Sequence, residues 1–168
     1  KFTFTDMAGN SGFKYVSGVT YDTTKPQIKP NSVSFANINN TNWVKDGEHI
    51  QLIFETDEAI QVPTVTFKSG GVNFGESDPI NGTAPTITPS NNNKRWTITY
   101  VINSSDTDGT IFYKIEYVDY ASNVGITYMP GSVLKLDKGL PQVTLTNFYS
   151  TNPLSTTRAT IGDVINLE

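Results

Sequence analysis

Tyr117-Val118-Asp119-Tyr120-Ala121-Ser122-Asn123 restates, 113 residues on, the run Phe4-Thr5-Asp6-Met7-Ala8-Gly9-Asn10. In both, an aromatic residue stands two before an Asp, and an Asn stands four after it. Two further segments keep nearly the same spacing. Asp22-Thr23-Thr24-Lys25-Pro26-Gln27-Ile28 aligns with Asp137-Lys138-Gly139-Leu140-Pro141-Gln142-Val143 at an offset of 115. Asp46-Gly47-Glu48-His49-Ile50-Gln51-Leu52 aligns with Ile161-Gly162-Asp163-Val164-Ile165-Asn166-Leu167 at the same offset. Three matches in one order and near-constant register mark an internal repeat. A complete unit is expected over 25–137, the closing strands of a preceding unit in 1–24 and the opening strands of a following one in 138–168. Neither end piece could bury a core alone. The polypeptide is therefore expected to run on in both directions, or another chain must supply the missing strands.

The composition suits many short strands joined by polar turns. Hydrophobic residues make up 36% of the 168, and Thr, Ser, Asn and Gly take the surplus. Val, Ile, Phe and Tyr nevertheless recur in alternation throughout, which is not the profile of a disordered chain. The net charge is -4 and the 12 Lys and Arg are scattered, which argues against a nucleic-acid groove. No apolar run approaches the roughly 20 residues of a membrane span. No signal peptide is visible, because Lys1 opens directly onto strand-like Phe2-Thr3-Phe4. The absence of Cys removes disulfides and leaves the compartment open.

Within the complete unit, alternation between turn signals predicts strand A over Gln27–Phe35, B over His49–Glu55 and C over Thr64–Lys68. A weaker C′/D region follows at Val72–Phe74 and Thr86–Thr88. Strand E is expected over Arg95–Ile102, F over Thr110–Val118, and G over Gly125–Leu136 with a break at Met129-Pro130-Gly131. Ile50, Leu52, Phe54, Val65, Phe67, Tyr113, Ile115 and Tyr117 should face inward, with Trp96 in the core and His49 toward solvent. Phe2 and Phe4 occupy the positions of Ile115 and Tyr117 and are expected to be core as well. The expected fold class is all-β: Ig-like β-sandwich repeats of about seven strands, in tandem.

The aromatic strand ending in Asp-x-Ala-Gly-Asn, the Asp-x-x-x-Pro linker, the Gly-Asp/Glu-x-Ile-x-Leu strand B and the stretch Thr56-Asp57-Glu58-Ala59-Ile60 … Pro63-Thr64-Val65 together resemble the bacterial Ig-like repeats of giant surface adhesins and biofilm proteins, which also occur in archaeal and protist surface proteins. Ser122 departs from the motif Gly in a tight turn, so the local backbone is expected to differ there. The resemblance implies an extracellular or cell-surface stalk or filament, often rigidified by Ca²⁺ at domain junctions.

The residues offer their own route to such a site. An Ig sandwich gathers its B–C, D–E and F–G loops at the end where the chain enters. That end would collect Asp22, Asp57, Glu58, Asp119 and Asn123, and Ca²⁺ takes six to eight oxygens. The same residues have a second reading as turn chemistry alone, with Lys25 neutralising Asp22. Three triplets, at Asn39, Asn81 and Asn103, fit the N-glycosylation pattern. No catalytic constellation is visible, and the chain is not expected to be an enzyme. One His and no Cys leave no Cys–His pair or His-rich metal site, and adjacent acids such as Asp57-Glu58 sit in turns. The expected role is a structural or adhesive repeat acting as a rigid spacer. Its partners would be neighbouring repeats of the same polypeptide or identical subunits in a filament, with no nucleic acid and no direct membrane insertion. Two alternatives stand beside it: a carbohydrate- or ligand-binding module using Trp43, Tyr120, Tyr128 and Tyr149, and an accessory domain of a large secreted enzyme.

Overall fold

Strict alternation in His49–Glu55 sends Ile50, Leu52 and Phe54 to one face, where each is 0% exposed. A computed structural model shows what that face meets; it describes all of residues 1–168 except Val19, Asn81, 129–133 and Thr146. Described secondary structure is entirely β, with no helix. The strands are β1 (Phe2–Thr5), β2 (Ser11–Lys14), β3 (Ser34–Asn37), β4 (Trp43–Val44), β5 (His49–Glu55), β6 (Thr64–Ser69) and β7 (Asp78–Pro79). There follow β8 (Thr86–Ser90), β9 (Arg95–Val101), β10 (Gly109–Val118), β11 (Val124–Tyr128), β12 (Lys135–Leu136), β13 (Phe148–Ser150) and β14 (Ile165–Leu167).

Two sheets face each other. One runs β3-β5-β9-β8, all antiparallel. The other runs β4-β12-β10-β6-β7, and β11 also pairs with β10. In the second sheet, β10 takes β12 against Gly109 and Thr110 and β11 against 114–118, while β6 lies along its other edge. The short β4 pairs with β12 in parallel, so the chain between β3 and β5 crosses from one sheet to the other. Between the sheets Leu52, Phe54, Trp96, Ile98, Tyr113, Ile115 and Tyr117 form one apolar cluster. Phe35 stacks on Phe67 at 5.9 Å and meets Tyr113 edge-on at 5.2 Å, tying the layers together.

Most expected strands fall where the alternation placed them, and Trp96 is buried while His49 is exposed. Three differ. Of Gln27–Phe35, only an Ile28–Thr56 bridge and the start of β3 pair. Val72–Phe74 forms a bend rather than a strand, since Asn73 Oδ1 accepts from the Gly75 and Glu76 amides and turns the chain toward β7. The break expected at Met129-Pro130-Gly131 lies outside the described residues.

The chain divides into two compact units, Lys1–Lys138 and Gly139–Glu168. In the first, β1 and β2 form a separate two-stranded hairpin. Phe2 and Phe4, expected in a core, are 65% and 61% exposed, because among the described residues no second sheet lies over the hairpin. In the second unit β13 and β14 pair antiparallel, with Phe148 and Leu167 directly opposite and both exposed.

Candidate functional site

The expected junction cluster forms in part, and backbone pairing forms it. Ile60 bridges Asp119, and the Gln61 amide donates to the Val118 carbonyl at 2.8 Å, which pins the β5–β6 loop against the β10–β11 turn. The Gln61 side chain adds a bond to the Asp119 carbonyl at 2.8 Å. From the incoming linker, the Asp22 carbonyl accepts from Asn123 Nδ2 at 3.3 Å. Carboxylate oxygens of Asp22, Glu58 and Asp119 thereby lie within 4.8 Å of one another. Asp119 is 1% exposed.

The turn that carries Asp119 is closed by its own side chain. Asp119 Oδ1 accepts from the amides of Ala121 and Asn123 at 2.8 Å each, and Oδ2 accepts from Asn123 Nδ2 at 2.8 Å. The same three bonds recur at Asp6, each at 2.9 Å, from Ala8, Asn10 and Asn10 Nδ2. Ser122 has φ 73 where Gly9 has φ 88. The backbone therefore does not differ at Ser122, contrary to the expectation from sequence. The turn demands a left-handed residue, and the bonds to Asp119 hold Ser in that conformation despite its Cβ.

Electrostatics sets Asp119 and Glu58 apart. Burial would raise the Asp119 carboxyl, but the Asn123, Ala121 and Ser122 hydrogen bonds outweigh it and hold it below its ordinary value. Glu58 moves the other way: burial raises it first, followed by the charges of Asp22, Asp119 and Asp57, with Lys94 opposing. A cation bound at about 2.3–2.6 Å from each oxygen allows ligand atoms up to about 5 Å apart, so the trio fits a Ca²⁺-sized ion. Such an ion would also relieve the repulsion that raises Glu58.

The remaining candidates are used differently. Asp57 stays outside the trio; its Oδ1 accepts from the Gln27 amide at 2.9 Å and fixes the linker instead. Asn123 spends its side-chain nitrogen on Asp119 and Asp22. Asp22 also makes a local turn, accepting from the Thr24 amide at 2.9 Å. Among the described residues no ion pair joins Lys25 to Asp22. Gln61 was not foreseen, because its partner lies 58 residues away and no local pattern announces it.

Asn39 and Asn103 are exposed, and Asn81 lies outside the described residues. Trp43, Tyr120 and Tyr128 make no ring contact with one another among the described residues. Trp43 has Lys135 Nζ 5.7 Å over its ring, and Tyr120 takes a bond from Asn93. Tyr128 packs edge-on to Phe74, and Tyr149 donates to Glu168.

With the sheets and the acidic trio defined, the class is that of an all-β protein with a two-layer sandwich at its centre. No family model matches the chain, and no curated protein matches it. Among solved structures it is similar to PcoC, a methionine-rich copper resistance protein from Escherichia coli, at 14% identity and a TM-score of 0.39, over 68% of this chain and 100% of that one. A likeness at that level bears on neither function nor site. No helix among the described residues is long and apolar enough to cross a membrane.

Proposed function

We propose that the chain is part of an extracellular tandem-repeat protein in which Ig-like sandwiches act as rigid spacers, stiffened by Ca²⁺ where one unit enters the next. The observation that carries this reading is bond-for-bond duplication. The Asp6 and Asp119 turns share their three side-chain bonds 113 residues apart. A second clasp recurs at an offset of 115. Glu48 accepts from Asn37 Nδ2 at 2.8 Å and the Lys45 amide at 3.1 Å, and Asp163 accepts from Asn152 Nδ2 at 2.9 Å and the Thr160 amide at 2.6 Å. A module copied with its turn chemistry intact suits a role set by shape and stacking. The Ig-like reading is supported by the path from β3, paired to β5, to β4, paired in parallel to β12, which carries the edge of the sandwich from one sheet to the other.

Ca²⁺ is assigned to Asp22, Glu58 and Asp119, which join the linker to two loops of the sandwich. Three joined copies of residues 25–137, with their linkers, provide the test by small-angle scattering and thermal melting. In Ca²⁺ the maximum dimension should grow by an equal increment per copy, and the Glu58 titration should move to lower pH. Chelation should lower the melting midpoint and broaden the interunit distances. A collapsed three-copy particle would refute the spacer; identical curves with and without chelator would refute the Ca²⁺ assignment.

A further inference from the structure

Within the complete unit, β11 leaves a sheet edge uncovered. It pairs with β10 on one side, and among the described residues no backbone bond reaches its other side. The incoming linker borders an open groove beside this edge at Lys25 and Gln27, but its backbone is engaged elsewhere. The Gln27 amide donates to Asp57 Oδ1 at 2.9 Å, and its carbonyl accepts from the Asp57 amide at 3.0 Å. Other sheet edges are blunted. Pro79 and Pro89 remove a donor from β7 and β8, β4 is two residues long, and β3 turns only Ser34 and Ala36 away from the core. In Val124-Gly125-Ile126-Thr127-Tyr128, β11 has neither a charge nor a proline.

The two faces of β11 differ. Inward, Gly125 lies against the Tyr117 ring, where a Cβ would come within 2.3 Å, and the Thr127 hydroxyl bonds that of Tyr117 at 3.2 Å. The strand is thereby held close on the core. Outward, Val124, Ile126 and Tyr128 are 47%, 52% and 56% exposed and form an apolar stripe along the edge. The charges behind the stripe cancel, because Lys114 and Glu116, opposite Tyr128 and Ile126 on β10, pair with each other at 2.8 Å. The preceding copy keeps the residue type at two of the three positions, with Phe13 for Ile126 and Tyr15 for Tyr128.

We infer that β11 of one copy of this chain pairs antiparallel with β11 of a second copy about a two-fold axis at Ile126, joining their sheets into one. The strand is its own complement there. Ile126 lies opposite Ile126, and Val124 of each copy lies opposite Tyr128 of the other, a β-branched and aromatic pair of the kind that stabilises antiparallel ladders. No charge meets a like charge within the ladder. Backbone bonds set the register, and the stripe supplies apolar burial. The contact is isologous, so it closes at two copies. The inference goes beyond the spacer reading, and only the recurrence at Phe13 and Tyr15 rests on that reading.

Sedimentation of the full chain, unaltered and with Ile126→Lys or Ile126→Glu, tests this. The position is outward and half-exposed, and Trp fluorescence checks that each variant keeps its sandwich. The unaltered chain should double its mass as concentration rises. Each variant should stay at monomer mass, because the axis sets like charges face to face. Mixed in equal amounts, the two should dimerise again, because Lys then faces Glu. Ile126→Cys gives a second readout, since the chain has no Cys of its own. Glutathione disulfide should link that variant into a covalent dimer and leave Thr86→Cys, on the β8 edge, unlinked. An unaltered chain that is monomeric up to near-millimolar concentration overturns the inference. So do Lys and Glu variants that dimerise alone, a mixture that stays monomeric, or equal linking of the two Cys variants. The three-copy scattering experiment repeated with Ile126→Lys in every copy reads the spacer without this contact, so the two readings fail separately.

Discussion

Ser122 holds a left-handed backbone angle at φ 73 although it carries a Cβ, and the bonds that Asp119 accepts from Ala121 and Asn123 keep it there. Left-handed geometry costs a non-glycine residue roughly 1–2 kcal/mol, and glycine gives part of that back through greater freedom when unfolded. Ser122→Gly should therefore stabilise the sandwich by about 0.5–1 kcal/mol in a urea melt; a loss of stability would mean that the Ser side chain does more than fill the position. The motif spelled the turn correctly at Asp and Asn, since those side chains act within five residues. It misled at Ser122, because a one-residue departure from a pattern does not report how strongly the rest of the turn constrains φ. Asp57 shows the same limit: the sequence gives its charge, and only the Gln27 amide beside it shows that the carboxylate is already engaged.

The β5 strand was legible because its alternation is complete. Ile50, Leu52 and Phe54 point into the core, and His49, Gln51, Ile53 and Glu55 point away from it. Phe54 is 0% exposed at the centre of the sheet, paired opposite Trp96. Phe54→Ala should cost about 3–5 kcal/mol in chemical denaturation, and a cost below about 1 kcal/mol would contradict its place in the close-packed layer. Gln27–Phe35 reads as a strand on its β-branched and aromatic residues, Ile28, Val33 and Phe35, which keep no period of two across the segment. The structure pairs only Ile28 ahead of β3, since Asn31 takes φ 59 and the Ser32 hydroxyl donates to the Lys29 carbonyl, closing a turn. The β4–β12 pairing was invisible to periodicity: two residues are too few to show a period, and parallel partners distant in sequence leave no local mark.

Across the whole molecule, order should follow the amount of apolar surface each part buries. The β5, β9 and β10 amides lie between paired neighbours over a shared core, whereas β13–β14 is a lone pair of strands with exposed side chains. Two strands alone are marginal in water. Hydrogen exchange on the chain should show β5, β9 and β10 as the slowest-exchanging amides and β13 and β14 as far faster. Equal protection in β13–β14 would place a covering layer over it that the described residues do not contain.

The sequence by itself determined the all-β class, the strands whose alternation spans five residues or more, and the turn chemistry of Asp6 and Asp119, because each follows from interactions between neighbours in the chain. Tertiary structure alone decided which acids meet. Asp22, Glu58 and Asp119 converge through the Ile60–Asp119 bridge, the Gln61 bonds and the Asn123 bond to the linker, all between residues distant in sequence. It also decided that the faces of Phe4 and Tyr117, alike in pattern, differ in burial: alternation states which way a side chain points, and only a second sheet determines whether anything lies there to meet it.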